Sequence, residues 1–245
     1  MKAVTTKTIQ IRTNDFDCNY QLRPSSVFDL FQGMGDNHAK SLGVGVEDIK
    51  LNNMTWVLVQ MKYKVHKLLK KDTNSEVVIT TWPYPRHHIE YLRAFLVKTK
   101  TGELLIEAIS KWLVIDTKSR KLSKKALNYS QEVINERLSL SIDRLYIGEM
   151  KDYKLVYTQT IHFCDLDANH HVNNTKYCDF VLNCLSDVNL TIDTFEIVYH
   201  KECKLGENIR IMKKQEKNDT ESRITVIGLL DNDVLSFIST VKLLN

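Results

Sequence analysis

The stretch Asp165-Leu166-Asp167-Ala168-Asn169-His170-His171-Val172-Asn173-Asn174 has an echo at Asp15-Phe16-Asp17-Cys18-Asn19-Tyr20-Gln21-Leu22, displaced by a constant 150 residues. Both copies keep Asp-x-Asp-x-Asn and an apolar residue three positions further on, but His171 in the later copy stands opposite Gln21 in the earlier one. A duplicated frame whose titratable group survives once fits two modules built alike, only one with a working site. Asp and Asn also favour turns for local hydrogen-bonding reasons. The motif alone is therefore equally a pair of Asx-rich turns.

The repeat continues past the motif, which favours the duplication. Val27, Leu30, Phe31 and Met34 follow Pro24-Ser25-Ser26 at helical spacing, and Tyr177, Phe180, Val181 and Cys184 follow Asn173-Asn174-Thr175 in the same way. Ser25, Ser26, Asn173 and Asn174 are of the types that satisfy the free N–H groups of a first helical turn. Each polar motif should thus lie just ahead of a helix.

In the first half, strands are expected at 8–13, 55–65, 76–84, 89–99 and 104–115, with the helix at 26–41. Turn signals stand at Lys71-Asp72-Thr73-Asn74 and at Thr101-Gly102, the latter reading as a hairpin. Gly33 and Gly35 inside the helix each cost about 1 kcal/mol against Ala, which suggests close approach of the helix backbone to a sheet. The second half repeats the plan, with strands at 155–162, 195–199, 208–214, 223–230 and 234–243 and a helix at 175–185. One helix followed by antiparallel strands is α+β, with the sheet able to curl around the helix. The expected division is 1–117, a linker at 118–152 with a short helix near 131–138, and 153–245.

Composition narrows the function. With 43% hydrophobic residues in 245, the chain can bury ample core. Lys plus Arg at 34 against Asp plus Glu at 30 is too small an excess to argue for nucleic acid, and no basic run is interleaved with stacking aromatics. The N-terminal residues lack a signal-like apolar region, and no window is long and apolar enough to span a bilayer, so a soluble cytoplasmic protein without stable membrane insertion is expected. Five cysteines at irregular spacing, without a C-x-x-C pair, are expected to be reduced.

Asp165-Leu166-Asp167-x-Asn169-x-His171-Val172-Asn173-Asn174-x-Lys176-Tyr177, with Tyr199-x-Lys201-Glu202-Cys203 some way on, resembles the acyl-acyl carrier protein (acyl-ACP) thioesterases. Thr55-Trp56-Val57, Thr81-Trp82, Asn37-His38-Ala39-Lys40-Ser41 and Lys111-Trp112 with Arg120-Lys121-Leu122-Ser123-Lys124 match that family's landmarks in order, so the resemblance covers nearly the whole chain. It implies a tandem double hotdog, each module a helix wrapped by a curved antiparallel sheet. It also implies hydrolysis of acyl-ACP to free fatty acid in fatty acid biosynthesis, with the acyl pocket in the first module around Trp56 and Trp82. Plant members carry a plastid transit segment that is not seen here, so the resemblance is to a stand-alone bacterial form. His170 replaces a common Gln, and is expected to point away from the site in an extended stretch.

Thioester hydrolysis needs a water activator, an orienting group and stabilisation of the oxyanion. Asp167 and Glu202 are the candidate carboxylates, His171 the hydrogen-bonding or proton-shuttling partner, and Asn169 an amide to hold substrate or water. Backbone N–H groups around Asn173 to Lys176, at the helix start, could polarise the carbonyl. Asp165 reads as a turn residue only. Cys203 is the alternative nucleophile, with His171 as base and Asn169 as orienter, but its neighbour Glu202 disfavours a thiolate. No metal or cofactor is expected, since His87-His88 and His170-His171, as neighbours in strands, would point to opposite faces. The basic runs 62–71 and 118–125 suit docking of an acidic acyl carrier protein. Acyl-CoA hydrolysis and a non-catalytic acyl- or carrier-binding module are the alternatives, and a homodimer is left open.

Overall fold

The computed structural model of the chain describes residues 3–69, 76–129, 138–185, 190–217 and 222–244. The chain gathers into two compact units, one formed by Met1–Asp15 with Asp29–Ile142 and the other by Phe16–Phe28 with Asp143–Asn245. The expected turn at Lys71-Asp72-Thr73-Asn74 and the helix near 131–138, save its last residue, lie outside the described residues.

In chain order the first unit holds β1 (Thr5–Gln10), α2 (Val46–Lys50), β2 (Met54–Val65), β3 (Glu76–Pro83), β4 (Tyr91–Thr99) and β5 (Leu104–Asp116). Helix α1 (Pro24–Ser41) begins in the second unit and continues into the first. The second unit goes on with β6 (Lys154–Thr160), α3 (Lys176–Leu182), β7 (Thr191–Tyr199), β8 (Asn208–Lys217), β9 (Ser222–Leu229) and β10 (Leu235–Leu244). Within the first unit the strands pair antiparallel as β1-β3-β4-β5-β2. Within the second they pair as β6-β8-β9-β10-β7. Counted from the start of each unit, both orders run first, third, fourth, fifth, second. The duplication seen in the motif is thus a duplication of topology, and the chain is α+β with the tandem double-hotdog plan.

Each helix lies on the sheet through the positions its periodicity marks. On α1, Val27, Phe31 and Met34 are buried, and Phe31 stacks on Phe95 of β4 with ring centroids 4.7 Å apart. Pro24 opens α1, where a missing N–H is harmless and its fixed φ suits a helix. The helix closes with Gly43 at φ 72, the Gly43 N–H on Lys40 O and the Val44 N–H on Ala39 O, an arrangement that serves two terminal carbonyls. On α3, Tyr177, Phe180 and Val181 are buried, as is Cys184 just past its end, each large apolar side chain contributing roughly 1.5–3 kcal/mol. The Tyr157 hydroxyl of β6 and the Lys213 ammonium of β8 donate to the carbonyls of Phe180 and Cys184, so the sheet grips the helix end. Register shifts at Leu58/Gln60, Val97/Lys98 and Lys242/Leu243 supply curvature.

Several local expectations change. Strand β1 lies earlier than 8–13, because the chain from Arg12 onward is taken by the motif turn. Helix α2 was not anticipated: it has five residues, too few for a periodic signal, and is opened by the Gly45 N–H on the Asp48 carboxylate at 2.8 Å. Thr101-Gly102 is the hairpin turn between β4 and β5, with Gly102 at φ 90. Only Gly35 of the helix glycines faces the sheet, toward Arg93 and Phe95, while Gly33 faces open space. No helix among the described residues is long and apolar enough to cross a membrane.

The closest backbone approach is instead at Gly228 in β9, where a β-carbon would collide with the Phe237 ring and Ile209 Cδ1. Urea unfolding should therefore find Gly228→Ala destabilised by about 1–3 kcal/mol through overpacking. Gly33→Ala should gain up to about 1 kcal/mol from helix propensity.

Candidate active site

After β6 the chain makes a 3-10 turn, Phe163–Asp165, closed by the His162 N–H on the Asp165 carboxylate at 2.9 Å and the Asp165 N–H on His162 O at 3.0 Å. Asp165 thus orders the turn. A second, tighter turn follows. Asp167 N–H donates to His171 O at 2.8 Å, and one Asp167 carboxylate oxygen accepts the N–H groups of Asn169 at 2.8 Å and His171 at 3.3 Å. The other oxygen accepts from the Asn169 side-chain amide at 3.3 Å. His170 occupies the left-handed region, φ 61, and is exposed. It sits at the apex of a turn, and the expected extended stretch is not there.

The first copy repeats the backbone bonds of this turn. Asp17 N–H donates to Gln21 O at 2.8 Å, Asp17 Oδ1 accepts from the N–H groups of Asn19 and Gln21 at 2.8 and 2.9 Å, and Tyr20 has φ 58. Asp17 holds this turn with no histidine in it, so holding the turn is a sufficient reason for an Asp at either position. The copies part at the next residue. Gln21 donates its amide to Leu190 O at 2.9 Å, a structural pin. His171 instead places Nδ1 3.2 Å from Glu202 Oε2, with the two side chains 25% and 32% exposed. Asp167, Asn169, His171 and Glu202 therefore come together around one loop, with His171 facing Glu202 and Asn169 facing Asp167.

Cys203 does not join them as a reactive thiol. It is fully buried, its Sγ lies 3.1 Å from Ser236 Oγ, and burial pushes its pKa up, the reverse of what a nucleophilic thiol needs. Three of the backbone N–H groups expected to polarise a carbonyl are committed within the loop. Asn173 N–H is held by Asp165 O, Thr175 N–H by the Asn173 side chain, and Lys176 N–H by Asn173 O, because the loop uses them to enter α3. His87 and His88 do not flank a strand. They sit in the turn between β3 and β4 with ring centroids 4.3 Å apart, His88 at φ 53. Among the described residues no three His, Cys, Asp or Glu side chains are grouped to hold a metal ion.

In the first unit, Ala39, Leu42, Val44, Trp56, Tyr91 and Trp112 wall a pocket of about 490 Å³, open mouth included, with Asp36, Arg93 and Tyr129 also lining it. Trp82 is elsewhere, buried against Ala94 and Leu96. Arg93 Nη1 lies 2.9 Å from His38 Nδ1, and burial lowers its pKa to about 10. Lys118, Lys121, Lys124 and Lys125 all stand exposed after β5, whereas Lys67 pairs with Glu103 and Lys62 donates to Ser141 O. Lys70 and Lys71 of the other basic run lie outside the described residues.

Cys18 and Cys164 are exposed, and Cys178, Cys184 and Cys203 buried. Titration of the native protein with a chromogenic disulfide should therefore modify two thiols quickly and the other three only on unfolding, as read by intact mass.

The pattern of the acyl-ACP thioesterase N-terminal domain matches residues 2–136, and that of the acyl-ACP thioesterase C-terminal domain matches residues 148–233. The chain is 24% identical over 89% of its length to the oleoyl-acyl carrier protein thioesterase of Coriandrum sativum, and 25% identical over 91% to the dodecanoyl-[acyl-carrier-protein] hydrolase of Cinnamomum camphora. It spans 64% and 63% of the length of those two proteins. The fold is shared with an acyl-ACP thioesterase from Bacteroides thetaiotaomicron, at TM-score 0.87 and 21% identity over 98% of both chains. It is shared too with the 12:0-ACP thioesterase of Umbellularia californica, at TM-score 0.78 and 21% identity over 98% of this chain and 94% of that one. With both family patterns matched in order along one chain, the protein belongs to the acyl-ACP thioesterase family.

Proposed function

We propose that the chain is a thioester hydrolase that releases free fatty acid from acyl carrier protein, in fatty acid synthesis in the cytoplasm. The observation that carries this reading is the contact between His171 Nδ1 and Glu202 Oε2, 3.2 Å, standing where the duplicate has a pinned Gln21. A carboxylate on Nδ1 fixes the tautomer with its proton there and leaves the Nε2 lone pair free to take a proton from water. The hydroxide so formed adds to the thioester carbonyl. Collapse of the tetrahedral intermediate breaks the C–S bond, and the imidazolium returns its proton to the leaving thiolate. Glu202 stabilises the imidazolium meanwhile. Asn169, held by Asp167, is the neutral amide available to substrate, and Asp167 serves chiefly by holding the turn. The buried Cys203 thiol supports water over sulfur as nucleophile. The apolar pocket of the first unit suits an acyl chain, and the exposed lysines at 118–125 suit an acidic carrier. Acyl-CoA hydrolysis by the same groups is the second reading.

Steady-state kinetics on dodecanoyl- and hexadecanoyl-ACP, beside the matching CoA thioesters, test this. Glu202→Gln and His171→Ala should each lower kcat about a hundredfold or more, the range of general acid–base catalysis. Cys203→Ala should keep most of the rate. Asp167→Asn should lose less than Glu202→Gln, since the amide oxygen still accepts the turn N–H groups. A fully active Glu202→Gln, or an acyl adduct on Cys203 that turns over at the catalytic rate, would overturn the mechanism.

A carrier preference that rests on the lysines should show in KM and fade with added salt, because exposed charges are screened over roughly 8 Å at physiological ionic strength. Charge reversal at Lys121 and Lys124 should remove the salt effect, and equal efficiency on both carriers would favour the CoA reading.

A further inference from the structure

Glu202 lies between β7 and β8, in a stretch that belongs to no strand. Its backbone must be held by something other than a sheet ladder if its carboxylate is to stay on His171. On the preceding side, Lys201 N–H donates to Ser236 O at 3.1 Å, and the Ser236 hydroxyl donates to Lys201 O at 2.8 Å. On the following side, Cys203 N–H donates to the Tyr177 hydroxyl at 3.2 Å, and Cys203 O accepts the Val172 N–H at 3.0 Å. The last of these bonds joins the residue after His171 to the residue after Glu202. Cys203 Sγ closes the set against Ser236 Oγ at 3.1 Å. Tyr177, Cys203 and Ser236 are at most 3% exposed. The Tyr177 ring is fixed edge-on by Phe180, Tyr199 and Phe237, with centroids 5.4 to 5.7 Å away.

We infer that Tyr177, acting with Ser236, is a positioning residue for catalysis: its hydroxyl clamps the backbone at Cys203 so that the Glu202 carboxylate remains on Nδ1 of His171. The inference rests on the reading of His171 and Glu202 as the working pair. The repeat supports it independently. At the matching helix position, 150 residues earlier, stands Val27, equally buried at 1% exposure. The helix core at this site is filled without a hydroxyl in the half that carries Gln21, and has one in the half that carries His171. A tyrosine needed only for packing would carry no such correlation with the titratable pair.

Tyr177→Phe keeps the ring and removes the hydroxyl, and with it the acceptor for Cys203 N–H and the hydroxyl's bonds to the Ser236 and Cys203 side chains. On dodecanoyl-ACP the folded variant should lose roughly ten- to a hundredfold in kcat, the scale of a small misplacement of a reacting group, with KM within about twofold of wild type. Combined with Glu202→Gln, it should cost nothing beyond Glu202→Gln alone, because a clamp on an absent carboxylate has no work left to lose. Wild-type kcat in folded Tyr177→Phe, or losses that simply multiply in the double variant, would overturn the inference while leaving the pair intact. Full activity in Glu202→Gln would overturn the pair itself and the inference with it. Should Tyr177→Phe fail to fold, Ser236→Ala removes the other half of the clamp and must show the same kcat-only loss and the same lack of additivity. Wild-type kcat in folded Ser236→Ala would then count against the clamp.

Discussion

A carboxylate that accepts the backbone N–H groups two and four residues ahead of it is the element on which both copies of the motif depend. Asp17 does this in the first copy and Asp167 in the second, with matching partners and nearly matching distances. Such a turn satisfies polar backbone that would otherwise be stranded as the chain leaves an edge strand and enters a helix. It also forces one residue, Tyr20 or His170, into the left-handed region, and so sets the direction of the residue that follows. Position 21 or 171 is thereby aimed by local hydrogen bonding.

That aimed position is where duplication permits divergence. In one copy it holds an amide that donates to the carbonyl of Leu190, just before β7, and in the other an imidazole against a carboxylate. The exchange leaves the turn undisturbed, because the turn's bonds run through backbone and Asp side chain, not through the side chain of residue 21 or 171. The side chain at this position and the architecture of the turn are thus separable. The same separation explains why an Asp in the motif need not be the group that handles protons.

Much of this was legible in the residues. The offset of 150, the helix periodicity after each motif and the Thr101-Gly102 hairpin gave the α+β plan, since each depends on neighbours close in sequence. What was hidden depends on partners far away. Helix α2 is too short for a period to show, and Gly228 betrays its tight packing only once Phe237 and Ile209 are seen above it. Glu202 and Cys203 drew notice through family resemblance alone, as nothing local in Tyr199-His200-Lys201-Glu202-Cys203 says which side chain faces His171. Their opposite fates, one a third exposed and on the imidazole, the other buried on Ser236, follow from the position of β10. Tyr177 read as one more core position of α3. Its pairing against Val27 in the repeat was the available signal, a buried hydroxyl where the duplicate manages without one.

The His171–Glu202 pair adds little to stability, for a contact between side chains a quarter to a third exposed is worth about 0–1 kcal/mol. A pair so weakly self-supporting cannot hold its own geometry against solvent and thermal motion, so the precision must come from the backbone on either side. The turn held by Asp167 aims one partner, and the buried bonds of Tyr177, Ser236 and Val172 fix the segment that carries the other. These supporting groups are out of water, where each hydrogen bond is harder to give up than at the surface. The arrangement puts rigidity in the dry interior and leaves the titratable atoms wet enough to exchange protons with water, as the proposed hydrolysis requires.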